Sequence, residues 1–402
     1  MGQHRKFTNF SLLEEATPGT TPASAMQLVS VAGMPAFKRD RTTGAPDFVT
    51  SGDRTPYPQE IFVDEGSLSI PASPLVYRNL IQPIEGIYAS DEVTVAAISE
   101  TDISVTSDVM SSVGGTAFTN LAVGDCFHIA FGGGGPTDGI YGPLQAAAAG
   151  SITFPAGQIA NYTAGSTQVH KTFNRLTDGE VFKTYSAEWE ATKLTTYFEN
   201  AVYMTPNSYE MSWSAGSGFA TETVTFRGKK PTKAAATIGT GAATAAPTSS
   251  AMSASQRFGT LVIGEVATNL VASAVISELT FGITNDNGFG PGLGATDFQV
   301  AVLGDIVTTL KATMVLDDIS AAIVDEFEDN DTLWTRFDMT DAQGNRIVYF
   351  NSAMKPTDRD KGDSNNILNQ SIDLVGHDPL KSSGDTHNIT GMPMTSVFFI
   401  AA

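Results

Sequence analysis

The sequence predicts a mainly β fold. It is read as β-sandwich or half-barrel modules, each with a flanking short helix, in a duplicated arrangement with a small β module inserted in the first copy. Three observations carry this. Apolar and polar residues alternate with a period of two in many short runs, as half-buried strands require. Only 16% of the 402 residues are charged while 41% are hydrophobic, and 38 glycines punctuate the chain, a balance suited to strands joined by tight turns. The order of elements in the first half also recurs in the second.

Residues 1–60 are rich in Pro, Gly and Thr, and read as an extended arm with a short strand at Met26–Val31. Ser67-Leu-Ser-Ile70 alternates as a strand. Ser73 then reads as an N-cap and Pro74 as the first residue of a helix that Pro83 ends or kinks. Residues 93–172 read as the inserted small β module, with strands at Phe127–Phe131, Ser151–Phe154 and Thr167–Thr172. Its Gly132–Gly135 run lacks the Lys-Ser/Thr of a phosphate loop. Tyr185, Ala187 and Trp189, then Tyr209, Met211 and Trp213, mark two long strands, followed across Gly216–Gly218 by Thr221–Phe226. Residues 1–92 plus 173–227 form the first module, and 228–256 is a linker by composition. The second module, 257–402, brings strands at Val275–Ile283 and Leu310–Leu316, with a Gly-rich loop at Asn285–Thr296 between them. A helix capped by Asp317 or Asp318, a hairpin turning at Asp341–Asn345 and strands at Ser371–Val375 and Ser396–Ile400 follow. Lys230-Pro-Thr232 and Lys355-Pro-Thr357 are read as matching points of the two copies.

The chemistry looked for is sparse. A net charge of −20 argues against a broad grip on phosphates, which needs Lys and Arg to displace counterions. One cysteine, Cys126, gives no disulfide framework or Cys-based zinc site, and the five histidines show no metal-binding spacing. The run Asp325-Glu-Phe-Glu-Asp-Asn-Asp331 lacks EF-hand spacing and reads as a solvated helix end, and Asp358, Asp360 and Asp363 alternate with Arg359 and Lys361. Glu188 and Glu190 share a strand face and imitate paired glycosidase carboxylates. Facing the same side of a strand is common for exposed residues, so they read as ordinary exposed strand residues. No Gly-x-Ser-x-Gly elbow is present. No secretory signal is read in residues 1–15, and no apolar run approaches the roughly 18 residues of a membrane helix. No enzymatic activity, cofactor or metal is expected.

Three segments carry a family resemblance: Glu15-Ala-Thr-Pro-Gly-Thr-Thr-Pro-Ala23 near the start, the Val123-Gly-Asp125 turn in the inserted module, and the strand, helix and acidic hairpin over Thr308–Phe350. In these the chain resembles the tail tube proteins (major tail proteins) of long-tailed bacteriophages. The resemblance implies a structural virion protein, made in the bacterial cytoplasm, whose rings stack into the tube that conducts DNA. The implied partners are copies of itself, the tape measure, tail terminator and tail-tip proteins, and double-stranded DNA in transit. With one tube module per half, three chains would make a trimeric pseudo-hexameric ring. Asp286, Phe289 and Leu293 are the expected inter-ring contacts; Asp325, Glu326, Glu328, Asp329 and Asp331 are the expected acidic bore lining. The alternatives are a tail-tip ring, a fibre, a contractile secretion tube or a polysaccharide-acting enzyme.

Overall fold

The computed structural model describes residues 8–21, 23–44, 60–131, 135–170, 172–192, 194, 197–216, 218–253, 261–265, 270–274, 276–291, 298–315, 332–364, 367–377, 389 and 392–402. In chain order it opens with β1 (Thr8–Glu14), β2 (Gln27–Leu28), β3 (Ala36–Gly44), β4 (Glu60–Pro74) and α1 (Ile81–Tyr88). Next come β5 (Val93–Val95), β6 (Ile98–Thr106), β7 (Val109–Ser112), β8 (Phe127–Phe131), β9 (Gly139–Tyr141), β10 (Ala146–Ala148), β11 (Ser151–Thr153), β12 (Tyr162–His170) and β13 (Phe173–Thr177). They lead to β14 (Tyr185–Ala191), β15 (Phe198–Ser214), β16 (Thr221–Lys229) and β17 (Thr232–Ala234). The second half holds β18 (Leu261–Glu265), β19 (Leu270–Ala274), β20 (Ile276–Asn285), β21 (Gly288–Pro291), β22 (Phe298–Val302) and β23 (Ile306–Val315). It closes with β24 (Leu333–Thr340), β25 (Arg346–Ser364), β26 (Ile367–Gly376) and β27 (Thr395–Ile400). The chain is mainly β, with large antiparallel sheets.

Among the described residues, one antiparallel sheet runs β3-β4-β16-β15-β20-β23-β26-β25. We call it the inner sheet. It is made twice over, because β3-β4-β16-β15 come from the first half and β20-β23-β26-β25 repeat their pairing in the second. The repetition extends beyond this sheet. The first part of β15 leaves it to pair with β14 and β17, and β14 pairs with β1. The first part of β25 likewise pairs with β24 and β27, and β24 pairs with β18. In the second half the flanking sheet gains β13 and β5 beyond β27.

The register identifies equivalent residues. Pro206 lies opposite Phe226 and Pro356 opposite Leu374, each just before a register shift in its long strand. A proline has no N–H to donate to a ladder, and a bulge bends the strand; both long strands change sheet here. Met204-Thr-Pro206 therefore matches Met354-Lys-Pro356. The reading that paired Lys230-Pro-Thr232 with Lys355-Pro-Thr357 is corrected: the first runs from just after the end of β16 to the first residue of β17, the second lies inside β25. In the sequence, Gly228-Lys-Lys-Pro231 instead matches Gly376-His-Asp-Pro379, and Glu14-Glu-Ala-Thr17 matches Glu265-Val-Ala-Thr268.

The expected helix start at Ser73-Pro74 is also corrected. Both residues end β4, where Pro74 lies opposite Thr221 and the Ser73 hydroxyl donates to Pro71 O and accepts from Ala32 N–H. The helix begins at Ile81, with no side-chain cap bond at Leu80, so Pro83 falls in its first turn. There a missing N–H leaves no intrahelical bond unmade. Burial holds this short helix: Ile84 and Ile87 are inside the core. Gly86 allows the close approach, since a Cβ would lie 2.7 Å from Pro206 Cγ. The second expected helix, capped by Asp317 or Asp318, lies outside the described residues.

One core fills the space between the apolar face of the inner sheet, α1 and the flanking strands. Its centre joins the two repeats. Tyr209 of β15 shares a 2.7 Å hydroxyl–hydroxyl hydrogen bond with Tyr349 of β25, and Tyr349 stacks on Phe337, which meets Phe281 edge-on. Tyr349→Phe removes that bond and keeps the ring. We expect it to lower stability by about 1–2 kcal/mol, read from the urea midpoint at unchanged slope.

The 93–172 segment contributes a separate sheet in the order β10-β11-β7-β6-β12-β8-β9. It packs on the second repeat, although it is inserted in the first. Phe127 and Phe154 share a core with Trp334, Val348, Phe350 and Phe398. Asp125 of the Val-Gly-Asp turn takes two 2.8 Å contacts from Arg175 of β13, and the buried Arg336 of β24 donates to Gly142 O. Desolvation in this contact raises the Asp125 carboxyl above its usual range, against the attraction of Arg175.

Candidate assembly surface

The inner sheet has one apolar face, turned to the core, and one polar face. Alternation builds the polar face from Ser67 and Ser69 of β4, Thr223 and Thr225 of β16, Ser208 and Ser212 of β15, Thr280 and Thr284 of β20, Thr309 and Thr313 of β23, and Ser371 of β26. Hydroxyls bond across strands, Ser208 to Thr225 at 2.6 Å and Ser212 to Thr221 at 2.9 Å. On this face the carboxylates Asp40, Glu65, Glu210, Glu278, Asp358, Asp360 and Asp373 outnumber the cations Lys38, Arg227, Lys229, Lys311 and Lys355. Several of these pair locally: Lys38 with Asp40 at 2.5 Å and Lys311 with Asp373 at 3.2 Å.

Among the described residues neither margin of this sheet has a further pairing strand: β3 pairs only with β4, and the second part of β25 pairs only with β26. A strand margin without a pairing neighbour is a template for another strand. Asp358 and Asp360, weighed in the sequence as oxygen ligands, are exposed strand residues on the β25 margin. No group of three or more acidic, His or Cys residues able to hold a metal ion occurs among the described residues.

The first predicted contact residues are placed only in part. Asp286 is exposed just after β20, its N–H donating to Asp305 O at 3.0 Å. The expected loop Asn285–Thr296 is corrected where described: Asn285 ends β20 and Gly288–Pro291 is β21, pairing with β22, with Phe289 opposite Ala301. Glycines read as a loop, but the apolar run of β22 supplies a partner strand. The buried Asn287 fixes the base of this hairpin, accepting from Gly304 N–H at 3.0 Å. The side chain of Phe289, and Leu293, Asp325, Glu326, Glu328, Asp329 and Asp331, lie outside the described residues.

Two features escaped sequence reasoning. Glu15, inside the Glu-x-x-x-Gly-Thr-Thr-Pro-Ala motif, is a buried acceptor. It takes Gly19 N–H (2.6 Å), Tyr203 N–H (2.9 Å), Thr184 Oγ1 (2.8 Å) and Ser186 Oγ (2.8 Å). The motif is a clamp that ties the arm to β14 and β15, with Gly19 at φ +76° making the turn. The segment read as a linker is a strap. Thr240 N–H donates to Ser24 O, Thr244 N–H donates to Met26 O while its carbonyl accepts from Leu28 N–H of β2, and Met252 bridges Leu75 and Ala220. Glu188 and Glu190 line a cleft of about 340 Å³ beneath it. The Glu188 oxygens accept from Thr237 Oγ1 (2.8 Å) and Ile238 N–H (2.7 Å), and Glu190 accepts from Asn9 at 3.0 Å. The reading of both as exposed strand residues is corrected for Glu188, which is buried under the 237–243 segment; both carboxylates anchor chain segments.

No family model and no curated protein matches this chain.

Proposed function

We propose that this is a structural, self-assembling protein, the tail tube subunit of a long-tailed bacteriophage, whose inner sheet lines the bore. The observation that carries this reading is the inner sheet itself, an antiparallel sheet made of two repeats, with no further pairing strand at either margin among the described residues and one hydroxyl-rich, acidic face. Edge-to-edge closure removes open margins, and a head-to-tail contact that closes gives a cyclic ring. Three copies of this sheet, at about 4.8 Å per strand and the usual barrel tilt, enclose a ring roughly 45 Å across between backbones. Ser and Thr hydroxyls with excess carboxylates suit a lining that DNA slides past, because binding a phosphate backbone needs a surplus of Lys and Arg. The inserted module packs on the flanking sheet, away from the polar face, and so decorates the outside.

Electron microscopy of the purified protein tests this. The expected result is stacked rings of three chains with pseudo-sixfold symmetry, growing into cylinders. A monodisperse monomer at every protein concentration overturns the reading; rings of six chains overturn the count of modules.

A further inference from the structure

In the inner sheet the two repeats meet along one pair of strands. Where the first repeat meets the second, β15 pairs antiparallel with β20, with Met211 opposite Phe281, Glu210 opposite Gly282 and Ser208 opposite Thr284. In the repeat register β25 is the counterpart of β15, and β3 is the counterpart of β20. Phe226, Leu68 and Phe37 lie in one row across the first repeat. Leu374, Leu310 and Phe281 lie in the matching row across the second. Phe37 therefore corresponds to Phe281, and through Pro206 and Pro356, Glu210 corresponds to Asp360.

We propose that the β25 margin of one copy pairs antiparallel with β3 of the next in the register of β15 with β20, placing Asp360 opposite Lys38. The same register sets Asp358 opposite Asp40 and Arg359 opposite Arg39. This names the partner surface for the assembly proposed above, and rests on that reading.

Of the three charged pairs in this register, Lys38 with Asp360 is unlike, while Asp358 with Asp40 and Arg359 with Arg39 are like. Lys38 and Asp360 project from the polar face at opposite margins, and both are exposed. Opposed unlike charges across strands stabilise a pair, and like charges oppose it. Asp40 brings a second carboxylate, so Lys38 sits between Asp40 on its own strand and Asp360 on the neighbour. On the other face, Arg39 is already tied to the buried Asp64 of β4, which also takes Lys230 at 3.0 Å. Arg41 approaches the same carboxylate at 3.7 Å, so Arg359 of the next copy adds a cation there and the Lys38–Asp360 pair carries the charge complementarity.

The experiment uses the full chain with two cysteines, Lys38→Cys and Asp360→Cys; the native Cys126 is buried. Assembled protein is treated with a short thiol-bridging reagent and run on a denaturing gel. Covalent dimers and ring-sized products are expected from this pair and none from Thr42→Cys with Asp360→Cys, which is out of register. Rings seen by microscopy with links only in the second pair overturn the register. Rings with links in neither pair overturn the choice of edges and leave the assembly reading standing. Wild-type protein that forms no rings overturns both.

A charge exchange guards against cysteines that disturb assembly. Lys38→Asp should raise the concentration needed for assembly by about tenfold, and Asp360→Lys in the same chain should restore it. Equal defects in the single and double variants overturn the pairing.

Discussion

Glu15→Ala should lower the unfolding free energy by about 3–5 kcal/mol. Four donors converge on this carboxylate, two of them backbone N–H groups and two hydroxyls of β14 and its approach. Hydrogen bonds to a charged acceptor contribute about 1.5–3 kcal/mol each, and buried donors left without a partner carry the whole desolvation cost. The hydroxyls can rotate to other acceptors, which holds the total below the simple sum. Glu15→Gln keeps one acceptor oxygen and should lose about half as much. Urea denaturation followed by tryptophan fluorescence gives both values. Equal losses for the two variants would show that packing, and not the acceptor, is what matters at this position.

Glu222→Gln should raise stability at pH 8 and flatten its dependence on pH. Glu222 lies on β16 with its side chain in the core, and burial pushes its carboxyl up to about 8 against the pull of Asn79, Val76 N–H and Tyr209. The folded protein therefore keeps this proton in a range where the unfolded chain, near 4.5, has released it. The contribution to stability is whole below pH 4.5, falls as pH rises and is lost once pH passes about 8. A shift of that size corresponds to a difference on the order of 4 kcal/mol across the window. The glutamine variant carries no proton to lose. Comparing melting curves of wild type and variant from pH 4.5 to 8.5 isolates this group from Glu85, whose carboxyl burial also raises, to about 7. Parallel curves for the two proteins would sink the prediction.

Much of the fold was legible because strands in a half-buried sheet write their faces into the sequence. Tyr209, Met211 and Trp213, or Leu310, Ala312 and Met314, alternate as read and lie inside as read, whereas in β14 Ser186 and Glu188 are buried as well as Tyr185, Ala187 and Trp189. The hairpin at Asp341–Asn345 was legible for a local reason: Asp341 Oδ1 accepts from Gln343 and Asn345 N–H within the turn. Reading failed where the deciding partner is far away in the chain. Ser73-Pro74 carries every local mark of a helix start, yet β16 claims it as strand. The 228–256 composition is that of a tether, and its seat depends on Ser24, Met26, Leu75 and Glu188. The duplication was visible in the order of elements, but the matching point needed the register, since a shared Lys-Pro-Thr is weaker evidence than a shared bulge.

The candidate site was less legible. Charge clusters drew attention to acidic runs, whereas the polar face of the inner sheet is built from serines and threonines scattered over six strands. No window of sequence gathers them. Only strand order shows that they form one surface, and only the pairing pattern shows which margins lack a further strand among the described residues.

The two strands that change sheet at Pro206 and Pro356 also govern how the molecule can come apart. Each is shared property of two sheets, and the junction of β15 with β20 ties the repeats along a full ladder. Cutting the chain between 254 and 260 would therefore yield two fragments, each with a raw sheet margin, that regain their structure only in each other's presence. Heat should melt the two repeats together in one cooperative step.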